Sequence, residues 1–259
     1  MTPPATDELI LSGNATATIV NGHGQHVAAS DNAHINLTNS SGIVVHNLTG
    51  DITINTLGQN ELHVSTPSRG YHGSVTINNA GSLLEGGVAG FGTNYTINGG
   101  LFANTSSSAG LDGQTTVVNA DVIGRGTWQV SSYHSPGAGH LEFVRSVSED
   151  QTVFLAPSIG YDHLQIDQPS QFHAAIAMDG KAAVDLVGLA ADSYRYDASS
   201  GILDFYAGSN VIDSLRFRAT LPDGFGVAAG TSTGSAGVEI FSQAGVPGLH
   251  HGAELPVHV

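Results

Sequence analysis

ITIN at residues 52–55, VTIN at 75–78 and YTIN at 95–98 are nearly one tetrapeptide met three times. Two looser copies, HINL around Asn36 and TVVN ending at Asn119, extend the series. The asparagines then fall at 36, 55, 78, 98 and 119, at intervals of 19, 23, 20 and 21 residues. A sixth copy, TIVN ending at Asn21, comes only 15 residues before Asn36 and reads as a cap. Self-similarity at a nearly fixed period is the signature of a repeat architecture. Within each copy Ile52/Ile54, Val75/Ile77 and Tyr95/Ile97 alternate with Thr53, Thr76 and Thr96, the period of a strand with one buried face. Leu57-Gly58, Asn78-Asn79-Ala80-Gly81 and Asn98-Gly99-Gly100 follow as turns.

A unit of about 21 residues holding two or three short strands and no helix fits one coil of a solenoid. The expected fold is therefore all-β: a single-stranded right-handed parallel β-helix of about a dozen coils, roughly 55–60 Å long at the inter-strand spacing. Asn36, Asn55, Asn78, Asn98 and Asn119 would stack at one corner of successive coils as a structural ladder. An antiparallel β-sandwich or jelly roll is the alternative, and it leaves the constant register of TIN unexplained. Residues 1–120 read as laddered coils with an N-terminal cap in TPPATDE, 121–246 as their continuation, and 247–259 as a flexible His/Gly/Pro tail. The Ala-rich run from Ala182 to Ala191 is compatible with a short helix.

The second half carries a further set of motifs in order: GRGTWQV, GHLEF, SEDQTVFLAP, LQIDQPSQFHAAIA, VDLVGLAADSYRYD, GILDFYAGSNVIDSLRF and GFGVAAGTSTGSAGVEIFSQ. Over residues 120–243 this order resembles the C-terminal repeat module of bacterial β-strand-repeat surface proteins, adhesin-like or autotransporter-passenger-like. The resemblance implies a right-handed β-helix, a cell-surface or extracellular location, and adhesive or scaffolding roles. No conventional signal peptide is visible in MTPPATDELILSG, so cytoplasmic residence or a non-classical export route stays open.

Composition narrows the partners. Twenty-two acidic against 7 basic side chains give a formal charge of −15. That argues against nucleic acid, which needs a basic stripe. No apolar run approaches the length of a spanning helix, so no membrane insertion is expected. The absence of cysteine excludes disulfides and thiolate metal sites. Self-association, end to end or lateral, and binding to a polysaccharide or cell-surface component are the partners that remain.

Catalytic and metal signals are weak. Gly22-His23-Gly24 stands without an Asp-Asp pair and reads as a turn, and Asp162/Asp167, Asp179/Asp185 and Asp197/Asp204 are carboxylate pairs of the kind a glycoside hydrolase needs. A carbohydrate-binding protein, or a polysaccharide lyase or hydrolase, is the alternative to a non-enzymatic structural or adhesive protein. His23/His26, His134/His140 and His250/His251 come without a completing ligand pattern, so no metal and no cofactor is expected. Protonation near pH 6 of the 13 histidines would offset most of the charge and favour association in mild acid. Tyr194 and Tyr196 share a strand parity; on an exposed face they would suit sugar stacking, and on an inner face they would be core.

Overall fold

The computed structural model describes residues 8–66, 73–91, 93–105, 109–131, 138–157, 160–179, 181–218, 221, 225–242 and 253–258. The chain winds through β1 (Glu8–Leu11), β2 (Thr16–Val20), β3 (His26–Ser30), β4 (Ala33–Thr38), β5 (Ile43–Thr49), β6 (Ile52–Leu57) and β7 (Gln59–Ser65). It continues through β8 (Gly73–Asn79), β9 (Leu83–Phe91), β10 (Thr93–Asn104), β11 (Ala109–Asp112), β12 (Thr115–Ile123), β13 (Thr127–Ser131) and β14 (His140–Phe143). After β15 (Thr152–Leu155), β16 (Asp162–Ile166), β17 (Ala175–Met178) and β18 (Ala182–Val187) come β19 (Ser193–Asp197), β20 (Ile202–Ala207), β21 (Asn210–Phe217), β22 (Phe225–Ala229) and β23 (Gly237–Ser242).

Each strand pairs in parallel with the strand two places on, so the even strands from β2 to β18 build one face and the odd strands from β1 to β17 the opposite one. This is a parallel β-helix of about 8 turns. A narrow third side joins the faces further along, where the end of β10 pairs with the end of β12 and Val147 bridges Val122 and Phe172. The expectation of a dozen coils is corrected. Rungs run from 18 residues (Thr18 to Asn36) to 25 (Val117 to Glu142), and the chain beyond Val187 leaves the winding. Eight steps at about 4.8 Å span roughly 40 Å.

Inward residues stack in register. Ile35, Ile54, Ile77, Ile97, Val118, Phe143, Ile166 and Leu186 form one continuous buried column. Each such side chain contributes about 1.5–3 kcal/mol on burial, and the repetition of the column explains why the strands tolerate no shift: a one-residue slip would turn every isoleucine to solvent. The core widens where aromatic side chains enter it. Trp128 is fully buried between Phe102 and Phe143, with ring centroids at 5.9 and 5.4 Å. Its indole N–H donates to Gln151 Oε1 (3.1 Å), which also accepts from Asn104 Nδ2 (3.2 Å), while Gln151 Nε2 donates to the carbonyls of Asn104, Ile123 and Gly124. One buried amide thereby ties its own rung to groups on the two rungs before it.

The two ends differ. At the N-terminal end β1 pairs only with β3 and β2 only with β4 among the described residues. At the other end the winding gives way to antiparallel structure: β19, β20 and β21 form a meander whose last strand pairs with β17, and β22–β23 forms a hairpin laid along β18. Residues 121–246 are therefore a continuation of the solenoid only as far as Val187. The run around Ala182 is a strand and not a helix, because both of its faces are covered and the alternation that marks a half-buried strand is lost. The tail expected to be flexible is docked over residues 253–258: Leu255 N–H donates to the Val227 carbonyl, Tyr194 N–H to the Pro256 carbonyl and His258 N–H to the Tyr194 carbonyl. The N-terminal segment before Glu8, His134, His250 and His251 lie outside the described residues.

Candidate functional site

Asn36, Asn55, Asn78, Asn98 and Asn119 share one register column, as the repeat implies. They do not stand at a corner. They project from the outer surface of the even-numbered face, one position after the buried isoleucine column, and all but the exposed Asn119 are half-buried. Asn55 donates to Asn36 (2.9 Å), Asn78 to Asn55 (3.1 Å) and Asn98 to Asn78 (3.1 Å). Asn36 reaches Thr18 Oγ1 at 3.5 Å, so Thr18 and not Asn21 starts the column. Asn119 is in register but outside the bonded series. Asn21 and Asn39 occupy the corner itself at φ 51° and 48°, a left-handed geometry that asparagine tolerates. Gly58 follows there at φ 79°, where a Cβ would run into the Asn39 side chain.

Tyr194 and Tyr196 lie on one face of β19, half-buried. Tyr194 packs edge-on against Phe225 (6.1 Å), and Tyr196 against both Phe225 (5.4 Å) and Phe217 (6.5 Å). The Tyr196 hydroxyl accepts from Leu221 N–H (3.1 Å). These contacts seat both rings on the core at the capped end. Of the carboxylates singled out as pairs, Asp179 is exposed on the surface, Asp185 is described below, and the other four are engaged locally. Asp162 is buried against Gly139 N–H (3.0 Å), Asp167 accepts from Gln165 (2.8 Å), Asp197 holds Ser199 and Ser200, and Asp204 holds Ser214 (2.6 Å).

A polar cluster that the sequence did not announce sits on the outer surface of β14, β16 and β18. His140 and His163 occupy the same register one rung apart, their rings stacked at 4.8 Å with Nδ1 facing Nδ1 at 2.7 Å. His163 Nε2 meets Asp185 Oδ2 at 2.7 Å. Asp185, fully buried, also accepts from the Ser232 hydroxyl (2.6 Å) and the Ser232 N–H (3.0 and 3.1 Å). Burial pushes the Asp185 carboxyl up, but the hydrogen bonds from His163 and Ser232 outweigh it and hold the group below the ordinary carboxylate range. Burial, helped by His163, lowers His140 to about 4. Glu239, opposite Asp185 on β23, is pushed up to about 7 by burial and by that carboxylate.

Serine, histidine and aspartate in contact invite a nucleophilic reading, and the proton positions decide it. An activated serine needs an unprotonated imidazole nitrogen to accept its proton. With Asp185 ionised, the 2.7 Å approach of its Oδ2 requires a proton on His163 Nε2, and the same nitrogen is the one facing Ser232 (2.8 Å). The Ser232 proton goes to Asp185. The cluster works as a clasp that pins the turn between β22 and β23 onto the helix wall. Among the described residues no group of three or more histidines and carboxylates converges to hold a metal ion.

Fold and site together define a β-solenoid with an outer amide ladder and an antiparallel C-terminal cap. Comparison with known protein families, with curated proteins and with solved structures finds no match to this chain.

Proposed function

We propose that the protein is a non-enzymatic structural or adhesive module, a rigid polar rod that pairs with a second copy of itself through its N-terminal rung. The observation carrying this reading is the asymmetry of the ends. The outer backbone edges of β1 and β2 have no strand partner among the described residues, and they lie beside exposed Leu9, Ile10 (70% exposed) and Val20 (58% exposed). Such an edge is a template for pairing. The opposite end is sealed by the meander, the hairpin and the docked residues 253–258. Open filaments need two complementary ends, whereas one open end used by both copies gives a closed two-fold pair. A scaffolding or adhesive place at a cell surface, which the resemblance of residues 120–243 implies, suits a rod of this kind.

Analytical ultracentrifugation over a concentration series tests the pairing. The expected result is a monomer–dimer equilibrium that Ile10→Lys and Val20→Lys shift to monomer, with rods of doubled length and no longer polymers in electron micrographs. A monomer at every concentration would overturn the proposal.

A further inference from the structure

Three of the seven basic side chains of this acidic chain share one groove near the capped end. The leading residues of β13, β15 and β17, Thr127, Thr152 and Ala175, stand in a single register column that Arg216, near the end of β21, continues. The first three are small, and the surface sinks over them into a groove of about 570 Å³ that runs along the helix axis for roughly 14 Å, three strand spacings. Arg125 lines it on one side, 3.8 Å from Asp150. Arg216 is held across it by a hydrogen bond from Nη2 to the Glu149 carbonyl oxygen (2.8 Å), which uses one of its five N–H donors. Arg218, two positions on and just past the end of β21, is exposed and makes no ion pair among the described residues.

On a molecule of charge −15 this is a local reversal of sign, and a concave one concentrates field on any anion that enters it. Guanidinium forks match carboxylates bidentately. The lining also includes the acids Glu149 and Asp150 and the hydroxyls of Thr127 and Ser200. A densely charged polyanion such as a nucleic acid or polyphosphate would meet those acids and the surrounding negative surface. A ligand with sparse carboxylates and many hydroxyls offers the arginines their anions and the acids their hydrogen-bond donors. We infer that this groove binds an acidic oligosaccharide of the uronate type, a binding function separate from the association proposed for the N-terminal rung.

Calorimetric titration with hexagalacturonate in 25 mM and 250 mM NaCl tests it, run beside the fully methyl-esterified hexamer, poly-glutamate, a single-stranded oligonucleotide and inorganic phosphate. Saturable binding to hexagalacturonate is expected, weakened by salt and lost on esterification. Arg218→Ala should weaken it about tenfold or more, and Arg216→Lys, which keeps charge but not the fork, by a smaller factor. Thermal unfolding of each variant separates lost binding from lost fold. Absence of binding at millimolar hexagalacturonate, equal binding of the methyl ester, binding undiminished by Arg218→Ala, or equal affinity for the other anions would each overturn the assignment. Ile10→Lys, at the far end of the rod, should leave this binding unchanged, so either proposal can fail without the other.

Discussion

Asn78→Ala is the sharpest test of the amide ladder. Asn78 both donates to Asn55 and accepts from Asn98, so its loss removes two side-chain hydrogen bonds. Each is worth about 0.5–1.5 kcal/mol net, and because the amides are half-buried, water takes over part of the vacated bonding. The expected cost is about 1–2 kcal/mol. Asn119→Ala supplies an internal control: the same substitution in the same column, at an exposed amide outside the bonded series, should cost well under about 0.5 kcal/mol. Urea unfolding followed by far-ultraviolet circular dichroism and by Trp128 fluorescence measures both. Coincidence of the two probes tests whether a repeat stack unfolds as one unit. A double-mutant cycle between Asn55 and Asn78 should return a coupling of about 0.5–1 kcal/mol. Equal costs for Asn78→Ala and Asn119→Ala, or zero coupling, would show that the asparagines are there for solubility and that the bonds carry nothing.

Other outcomes follow from the buried polar groups. Gln151→Ala removes the amide bonded to the Trp128 indole, to Asn104 and to the Ile123 and Gly124 carbonyls and should cost about 3 kcal/mol or more, read as a lower urea midpoint. Gly86 sits at φ 139° with no room for a Cβ against the Leu62 carbonyl, so Gly86→Ala should part β7 from β9 and raise amide exchange along both. Glu239 titrates near 7 in the folded protein and near 4.5 when unfolded, so the native state binds the extra proton and stability contributed by this group falls as pH rises from about 4.5 to 7. The stability of Glu239→Gln relative to the parent protein should therefore increase across that window; no change with pH would refute it. His140 has the opposite sign: its folded value of about 4 lies below the unfolded 6.5, the unfolded chain takes the proton first, and stability is lost on acidification from about 6.5 to 4, an effect His140→Gln should remove.

Much of the solenoid can be read from the chain because its strongest rules are local. Alternation in ITIN, VTIN and YTIN marks strands, and the common register of their asparagines survives into the structure as Cα partners. The number of turns is not legible in the same way, because loops between strands change the rung length without disturbing the column. Ala182–Val187 was ambiguous because a strand covered on both faces has no period to show. The clasp was missed for a different reason. Ser232 lies 69 residues from His163 and 47 from Asp185, and only the antiparallel return of β23 brings them together. One signal was available: stepping from His140 by the 23-residue interval lands on His163, so the repeat spacing applied to histidines, and not their closeness in sequence, points to the stacked pair. Arg125, Arg216 and Arg218 converge through the same kind of distant pairing.

The sealed far end and the repeated isoleucine rungs between Asn36 and Asn98 have a consequence for how such a molecule changes size. Because the rungs from Asn36 to Asn98 offer one another the same inward isoleucines and the same outer amides, a duplicated segment of twenty-odd residues placed between Asn55 and Asn98 would find both of its neighbours already complementary, lengthening the rod by about 4.8 Å per copy. The same duplication inside residues 188–242 has no rung to join. Length in this architecture is set in the middle, while the final strands act as a fixed stopper.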